Sequence, residues 1–275
     1  MSASVTPVNL PRATSGGRVT QSRVALSEWT KLRSLRSTVY TLLASAVFTI
    51  GFGVLASAIT ASRWPSMTAA DKAEFDPLST SLVGVNFGVL AIGVLGVLLI
   101  TGEYSTGMIR STFAAVPKRL PVLWAKAGVY SAVALAVMVP STLIAFFVGQ
   151  SFLASKHIDI AFSHSGVPGA VLGSALYLTL AGLLGLGIGA IVRNTAAGIA
   201  SFAAIMFVLP PLVSFLPAST SDAIDPYLPS NAGAAIMKIG HQAHTLSPWV
   251  GLAVFAGYAA ATIAVAAVGL RTRDV

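Results

Sequence analysis

The four histidines are the side chains of this sequence best suited to hold a metal ion or to carry a proton near neutral pH. They are His157, His164, His241 and His244. His157 stands two residues before Asp159, and His241 and His244 are one helical turn apart, so a metal site is one interpretation. The zinc motif H-E-x-x-H is absent, however, and histidines at the ends of apolar segments are the simpler interpretation.

Other catalytic chemistry finds no support in the sequence. There is no cysteine, which excludes thiolate metal sites and disulfides. The G-x-S-x-G motif of serine hydrolases does not occur. None of the six lysines follows a glycine, so the phosphate-binding motif G-x-x-x-x-G-K-[ST] cannot occur either. We therefore expect a chain that is not an enzyme and binds no cofactor of its own.

A polar connection between two apolar segments, Thr101–Gly128, is the most promising place for a function. Its candidate residues are Glu103, Tyr104, Gly107, Met108, Ile109, Arg110, Phe113, Pro117 and Arg119. Met108, Ile109 and Phe113 stand at helical spacing, and Pro117 would end that helix. We expect the apolar edge of this short helix to be covered, either by a partner or by the rest of the protein, because water would disfavour its exposure.

The rest of the sequence is too apolar for a water-soluble domain. Charged residues make up 9% of the chain and hydrophobic residues 55%, whereas soluble domains carry about 25% charged residues. The mean hydropathy is +0.81. Six long apolar segments predict an all-α integral membrane protein with six transmembrane helices. The predicted spans are 38–61, 79–101, 127–153, 168–192, 196–217 and 246–270.

The positive charges predict the orientation of these helices. Thirteen Lys and Arg residues fall on the side of the two termini and four on the other side. By the positive-inside rule, both termini lie in the cytoplasm. The net charge of +8 is thereby explained without nucleic acid as a partner. The predicted organisation is a disordered cytoplasmic tail (1–21), an interfacial helix (22–36), a six-helix transmembrane domain (37–270) and a cytoplasmic C-terminus (271–275).

The interfacial helix is predicted from an amphipathic pattern before the first span. Ala25, Trp29 and Leu32 stand at helical spacing among charged residues, which is typical of a helix lying in the membrane interface. Its candidate residues are Trp29, Leu32, Arg33 and Arg36. A cytoplasmic extension of the first span, carrying ordinary positive-inside charge, is the alternative interpretation.

Few polar groups stand within the spans. No Asp, Glu, Lys or Arg lies in the middle of a predicted span, although ion-coupled transporters usually carry such charges there. Asn86 is the one amide well inside a span. It either faces a pathway between two protomers or packs against a neighbouring helix.

Pro140 and the pair Pro210–Pro211 are expected to kink or break the third and fifth spans.

The connection between the second and third spans resembles that of the ABC-2 type membrane subunits of ATP-binding cassette exporters, especially the small six-span permeases of high-GC bacteria. The residues that match are Glu103, Gly107, Ile109, Pro117, Arg119 and Lys126. The opening SEWTKLRSLRS and the ending GLRTRDV also resemble that family.

This resemblance implies a permease subunit that moves its substrate across a bacterial plasma membrane by alternating access. The partners it implies are two copies of an ABC ATPase, which bind ATP and Mg²⁺, a second permease, identical or similar, and membrane lipid. The short helix would be a coupling helix seated on the ATPase, so that Phe113→Ala or Arg110→Glu should uncouple the ATPase while leaving folding near normal. Anchoring of this loop to lipid headgroups is the alternative.

The resemblance also implies a partly re-entrant segment at 226–245, for which an ordinary outside loop is the alternative.

Two rival functions follow from the residues themselves. One is a secondary transporter or channel, which buried charge would favour. The other is a membrane enzyme that uses the histidines at the outer face, which metal-dependent turnover by the purified chain would favour.

Overall fold

The computed structural model describes residues 20–116, 118–239 and 245–272. These residues form helices and turns and no β-strand. The prediction of an all-α protein with six spans is confirmed, since six helical segments are long and apolar enough to cross a membrane. Spans 1 to 6 are Arg36–Ser66, Pro77–Ser105, Leu120–Ala154, Val167–Val192, Thr195–Val213 and Pro248–Thr272.

The helices number thirteen within the described ranges. In chain order they are α1 (Gln21–Ser34), α2 (Arg36–Arg63), α3 (Ala69–Ala73), α4 (Pro77–Leu82), α5 (Gly84–Ser105), α6 (Met108–Ala115), α7 (Leu120–Ala154), α8 (Val167–Val192), α9 (Thr195–Ala203), α10 (Leu209–Val213), α11 (Ala218–Ile224), α12 (Pro229–Ala234) and α13 (Pro248–Thr272). Of the predicted tail 1–21, all but the last two residues lie outside the described residues, as do the final three residues of the C-terminus.

Spans 2 and 4 form the centre of the bundle. Within their most apolar windows 67% and 72% of the residues are buried, against 22–39% in the other four spans. Span 4 packs against spans 2, 3, 5 and 6, and span 1 packs against spans 2 and 3. The outer spans turn large apolar side chains outward, including Val47, Phe147 and Val265. Such a surface suits lipid and not water.

Glycines permit the close approach of the two central spans. A side chain at Gly96 would overlap the backbone of Gly182, and one at Gly185 would overlap the carbonyl of Gly93. Because these positions carry no side chain, the two backbones can touch directly, as in other membrane helix pairs with small residues at the interface.

The prolines act differently in spans 3 and 5. Pro140 leaves α7 continuous, so a break there is not observed. In span 5 a π-helical turn, Ala204–Val208, directly precedes the helix that contains Pro210 and Pro211. Proline cannot donate to the carbonyl four residues earlier and crowds it, and a wider turn accommodates this. Span 5 ends at Val213, four residues before the predicted end.

The segment before span 6 is packed helical structure as far as the structure describes it. Helix α12 and the 3₁₀ turn that follows it contact spans 4 and 6. Ala232 is fully buried, Ile236 is 1% exposed, and Gly233 lies against the ring of Tyr177. Whether this part re-enters the membrane or forms an outside loop stays a prediction. Residues 240–244 of the predicted segment lie outside the described residues.

Candidate functional site

Four charged side chains meet at one end of the bundle, and we call them the ion quartet: Glu28, Lys31, Glu103 and Lys126. Lys126 Nζ lies 2.5 Å from Glu28 Oε2 and 2.8 Å from Glu103 Oε1. Lys31 Nζ lies 2.7 Å from Glu28 Oε1 and 3.1 Å from Glu103 Oε1. The quartet thereby joins α1, the last turn of span 2 and the first turns of span 3.

The ion quartet is almost completely withdrawn from solvent. The side chains of Glu28, Glu103 and Lys126 are each about 95% buried, and only Lys31 keeps partial exposure, at 23%. Burying charge is costly unless each charge has partners of opposite sign. In the ion quartet, the negative charges of two carboxylates are balanced by the positive charges of two ammonium groups. Sequence reasoning missed Glu28, because a glutamate in an amphipathic pattern is normally placed on the polar face.

The carboxylates also affect the protonation of Lys31. Burial lowers the pKa of this ammonium, but its hydrogen bond to Glu28 and the attraction of Glu103 and Glu28 together raise it by more. The net pKa of Lys31 therefore lies above its ordinary value, and the group is cationic at physiological pH.

The predicted short helix is present as α6, next to the ion quartet. Gly107 begins it with φ = 71°, a left-handed conformation that glycine adopts at little cost. Thr112 Oγ1 accepts a hydrogen bond from Lys31 Nζ at 3.3 Å. The helix ends at Ala115; Pro117, which was expected to end it, lies outside the described residues.

The apolar edge of α6 is covered by the protein itself. Ile109 is 3% exposed and Phe113 is 9% exposed, and both belong to a buried cluster with residues of spans 2, 3, 4 and 6. Met108, the third residue of the predicted edge, is 38% exposed, and Arg110 is also exposed. Phe113→Ala should therefore destabilise the protein, unlike what the sequence alone predicts, because truncating a buried aromatic ring leaves a cavity. Arg110→Glu remains a suitable test.

Two arginines tie this end of the bundle to the end of span 6. The Arg119 guanidinium lies 5.5 Å from the ring of Phe113 and donates to the carbonyl of Leu270. Arg193 lies 5.4 Å from the ring of Tyr104 and donates to the carbonyl of Gly269. Tyr104 is partly buried beside Glu103. The predicted residues Glu103, Tyr104, Ile109, Phe113 and Arg119 thus come together in one packed unit.

Helix α1 occupies the segment for which an interfacial helix was predicted, and its position at a membrane interface stays a prediction. Its buried residues are Val24, Glu28 and Leu32, whereas Trp29 is 45% exposed. Arg33 and Arg36 are also exposed. The two predicted apolar positions Trp29 and Leu32 therefore point to different surroundings, because the ion quartet draws Glu28 inward.

Asn86 lies on an outward face of span 2. Its side chain is exposed and makes no hydrogen bond within the described ranges. Phe87 and Leu90 beside it are also exposed, and Phe87 stacks on Phe52 of span 1 at 4.0 Å between ring centroids. Packing of the Asn86 amide against a neighbouring helix of the same chain is thus not observed.

A second amide, Gln150, is buried at the opposite end of the bundle, and sequence reasoning missed it. Gln150 Nε2 donates to the carbonyl of Pro77 at 2.9 Å and to Ser81 Oγ at 3.1 Å, and its Oε1 accepts from the backbone N–H of Ile160. Gln150 is only 7% exposed. The amide joins span 3, the start of span 2 and the connection that follows span 3.

The histidines do not form a metal centre within the described residues. No group of three or more His, Asp or Glu side chains able to hold a metal occurs there. His164 Nδ1 lies 3.1 Å from the carbonyl of Ser165, and His157 stands in a turn. His241 and His244 lie outside the described residues.

No protein-family model matches the chain, and no curated protein matches it significantly. The geometry of the molecule therefore carries the functional proposal.

Proposed function

We propose that the chain is the permease subunit of an ATP-driven exporter of the ABC-2 type, working with a separate ATPase in two copies. The observation that carries this proposal is the anchoring of α6. One face of this short helix is buried through Ile109 and Phe113, and Lys31 of the ion quartet binds its Thr112. Met108 and Arg110, on either side of that buried face, are exposed.

This anchoring suits a helix that transmits movement. A force on the exposed face of α6 reaches the ends of spans 2 and 3 through the ion quartet, and the end of span 6 through Arg119 and Leu270. A packed and ion-paired unit moves as a body, because its members have few alternative arrangements. ATP binding by the partner would close the two ATPase subunits and tilt the spans, which gives alternating access.

The orientation in this proposal rests on the distribution of charge. The thirteen Lys and Arg residues on the side of the termini support an orientation in which α1, α6 and the ion quartet lie in the cytoplasmic half, with α1 at the membrane interface. A reporter fused after residue 275 should report cytoplasm, and one inserted near Ala73 should report the outside. Both reporters on the same side would contradict the six-span arrangement.

A second permease, identical or similar, is part of the proposal. Asn86 supports it, because an unpaired amide in hydrocarbon is unfavourable and gains from a partner or from water. Its position beside the exposed Phe87 and Leu90 would place the amide between two protomers, where a pathway can run.

The direct test is to identify the partner. The tagged chain, solubilised in mild detergent from its own host, should capture a protein with a P-loop ATPase domain, and the pair should hydrolyse ATP. The purified chain alone should not. Arg110→Glu should reduce capture at least tenfold at equal expression. Capture of no ATPase, or capture unaffected by Arg110→Glu, would count against the proposal.

A second candidate function, an ion-coupled transporter, is favoured by the burial of the ion quartet. Such transporters use buried carboxylates to carry protons. The quartet, however, lies at the ends of spans: Glu103 is two residues before the end of α5. Uptake or efflux in sealed vesicles distinguishes the two functions, since a proton gradient without ATP would drive only the ion-coupled transporter.

A further inference from the structure

A cleft of about 600 Å³ opens between the start of α1, the start of span 3 and the end of span 6, and we call it the basic cleft. Its volume lies within the range of small-molecule pockets, roughly 300–1,000 Å³. The four residues of the ion quartet do not line it. The residues that do are Gln21, Lys118, Leu120, Pro121, Trp124 and Arg271.

A hydrogen bond between two spans brings cationic side chains together at the basic cleft. The Arg119 guanidinium donates to the carbonyl of Leu270, with 3.3 Å between the two atoms. Lys118 directly precedes Arg119 in the chain, and Arg271 directly follows Leu270. The bond that joins the start of span 3 to the end of span 6 therefore also holds Lys118 and Arg271 at one cleft.

The two cations that line the basic cleft are accessible to a ligand. Lys118 and Arg271 are both exposed, and neither forms an ion pair with another described residue. No acidic side chain is among the described residues that line the cleft. A negatively charged group is therefore the complementary ligand. Phosphate fits well, because the planar donors of an arginine and the point charge of a lysine both bind it.

Another part of the cleft wall is apolar, and it leads onto the exposed face of span 3. Trp124 is 54% exposed, and tryptophan in membrane proteins favours the level of the lipid headgroups. Gly128 and Ala132 follow on the same face of α7 at four-residue spacing, and both are exposed. A side chain at Gly128 would meet no atom within 4 Å, so open space adjoins the helix there. A hydrocarbon chain fits this face, which a soluble anion would leave unused.

The charge of the basic cleft selects among lipid headgroups. A zwitterionic headgroup carries its own cationic group, which Lys118 and Arg271 repel. An anionic headgroup, such as that of phosphatidylglycerol, keeps a net negative charge for the two cations to neutralise. Lysine and arginine residues close to a membrane attract anionic lipids for this reason.

We infer that the basic cleft binds an anionic membrane phospholipid, with Lys118 and Arg271 at its phosphate, Trp124 beside its glycerol backbone and one acyl chain along the exposed face of span 3. The lipid would fill the gap beside the hydrogen-bonded ends of spans 3 and 6. This binding requires no ATPase and makes no demand on export. Only its assignment to the cytoplasmic leaflet rests on the orientation proposed above.

The test uses Trp124 as a reporter of the lipids around it. Trp29→Phe, Trp64→Phe and Trp249→Phe together leave Trp124 as the one tryptophan of the full chain. The protein is placed in phosphatidylcholine nanodiscs, and either phosphatidylglycerol or phosphatidylcholine is added with bromine atoms on its upper acyl chains, which quench nearby tryptophan fluorescence. Brominated phosphatidylglycerol should quench at a mole fraction about tenfold lower than brominated phosphatidylcholine does. Equal quenching by both lipids would overturn the inference.

Two double variants distinguish a site from a general surface charge. Lys118→Gln/Arg271→Gln should abolish most of the preference for phosphatidylglycerol. Arg33→Gln/Arg36→Gln removes the same charge from exposed residues before span 1 and is the matched control, which should keep the preference. Equal losses in both variants, or no loss in the first, would contradict a site at the basic cleft.

A competition experiment separates a lipid from a soluble anion. Inorganic phosphate should reduce the quenching by brominated phosphatidylglycerol no more than sodium chloride does at the same ionic strength. Stronger competition by phosphate would assign the cleft to a soluble anion and overturn the inference.

Native mass spectrometry of the chain with all four tryptophans covers the case in which the triple substitution does not fold. Phosphatidylglycerol should stay bound to the parent chain and to the Arg33→Gln/Arg36→Gln control, and its occupancy should fall in Lys118→Gln/Arg271→Gln. The same occupancy in all three proteins would overturn the inference.

Discussion

The Lys126 ammonium lies 2.8 Å from Glu103 Oε1, so the first turns of span 3 are tied directly to the last turn of span 2. In the sequence, the whole of α6 lies between these two residues. Their ion pair therefore fixes the distance between the two points at which the α6 segment leaves and rejoins the spans. Both side chains are about 95% buried, and for this reason the pair should matter far more than an ion pair at the surface.

Removing one charge of this pair should destabilise the protein strongly. We expect Lys126→Met to lower the free energy of unfolding by about 3 kcal/mol, because it leaves two buried carboxylates to share the single ammonium group of Lys31. The double variant Lys126→Met/Glu103→Gln should recover more than half of that loss, since Glu28 and Lys31 remain balanced. Unfolding in increasing dodecyl sulfate measures all three proteins. Additive losses in the double variant would show that the two side chains are not coupled.

At alkaline pH, the contribution of Lys31 to the stability of the protein should be lost. Its pKa is raised above the ordinary value of 10.5, so the stabilisation is complete below pH 10.5 and is lost as the pH rises through the raised pKa. The groups that face Lys31 are Glu28 and Glu103, and Lys126 shares both carboxylates. Melting temperatures between pH 8 and 11.5 should fall more steeply for the parent than for Lys31→Met. Parallel curves would contradict the prediction.

Two substitutions in α6 should have different effects, one on the stability of the protein and the other on partner binding. Phe113→Ala should cost about 3 kcal/mol of stability, because the ring is 9% exposed in a packed cluster. Arg110→Glu should change stability by no more than about 0.5 kcal/mol, since the residue is exposed. If α6 couples to an ATPase, Arg110→Glu should nevertheless abolish ATP-dependent export. Arg271→Glu, an exposed charge reversal at the same end, is the control and should export normally.

Replacement by leucine should affect the stability of the isolated chain differently at the two amides, Asn86 and Gln150. Asn86→Leu should leave the stability of the isolated chain unchanged, because Asn86 is exposed and makes no side-chain hydrogen bond within the described ranges. Gln150→Leu should cost about 2–3 kcal/mol, because it removes three hydrogen bonds from a buried site. In the assembled exporter, Asn86→Leu should reduce substrate-stimulated ATP hydrolysis more than basal hydrolysis. Equal losses of both, with a lower yield of protein, would indicate that Asn86 is a packing residue.

Hydropathy was sufficient to predict the six spans, because their length and apolar character are fixed by the thickness of a bilayer. It was less reliable for their ends. Helix α7 begins at Leu120, seven residues before the predicted start of span 3. Charged residues such as Lys126 normally mark the end of a span, but a lysine that is paired and buried does not need to leave the bundle.

The candidate site could be predicted only in part. The spacing of Met108, Ile109 and Phe113 indicated a short helix, and α6 is that helix. The burial of Glu28 could not be found in the same way, since its partners Glu103 and Lys126 are remote in the sequence. Local periodicity grouped Glu28 with the charged residues of α1, and only the tertiary ion pairs show that it is buried.

The equality of positive and negative charges in the ion quartet has an electrical consequence. A group of charges that moves through a transmembrane voltage exchanges about 2.3 kcal/mol per elementary charge for each 100 mV that it crosses. Glu28, Lys31, Glu103 and Lys126, if they move together, carry no net charge, so the field does no net work on them. Movement of the ion quartet itself should therefore cost the same in energised and in depolarised membranes.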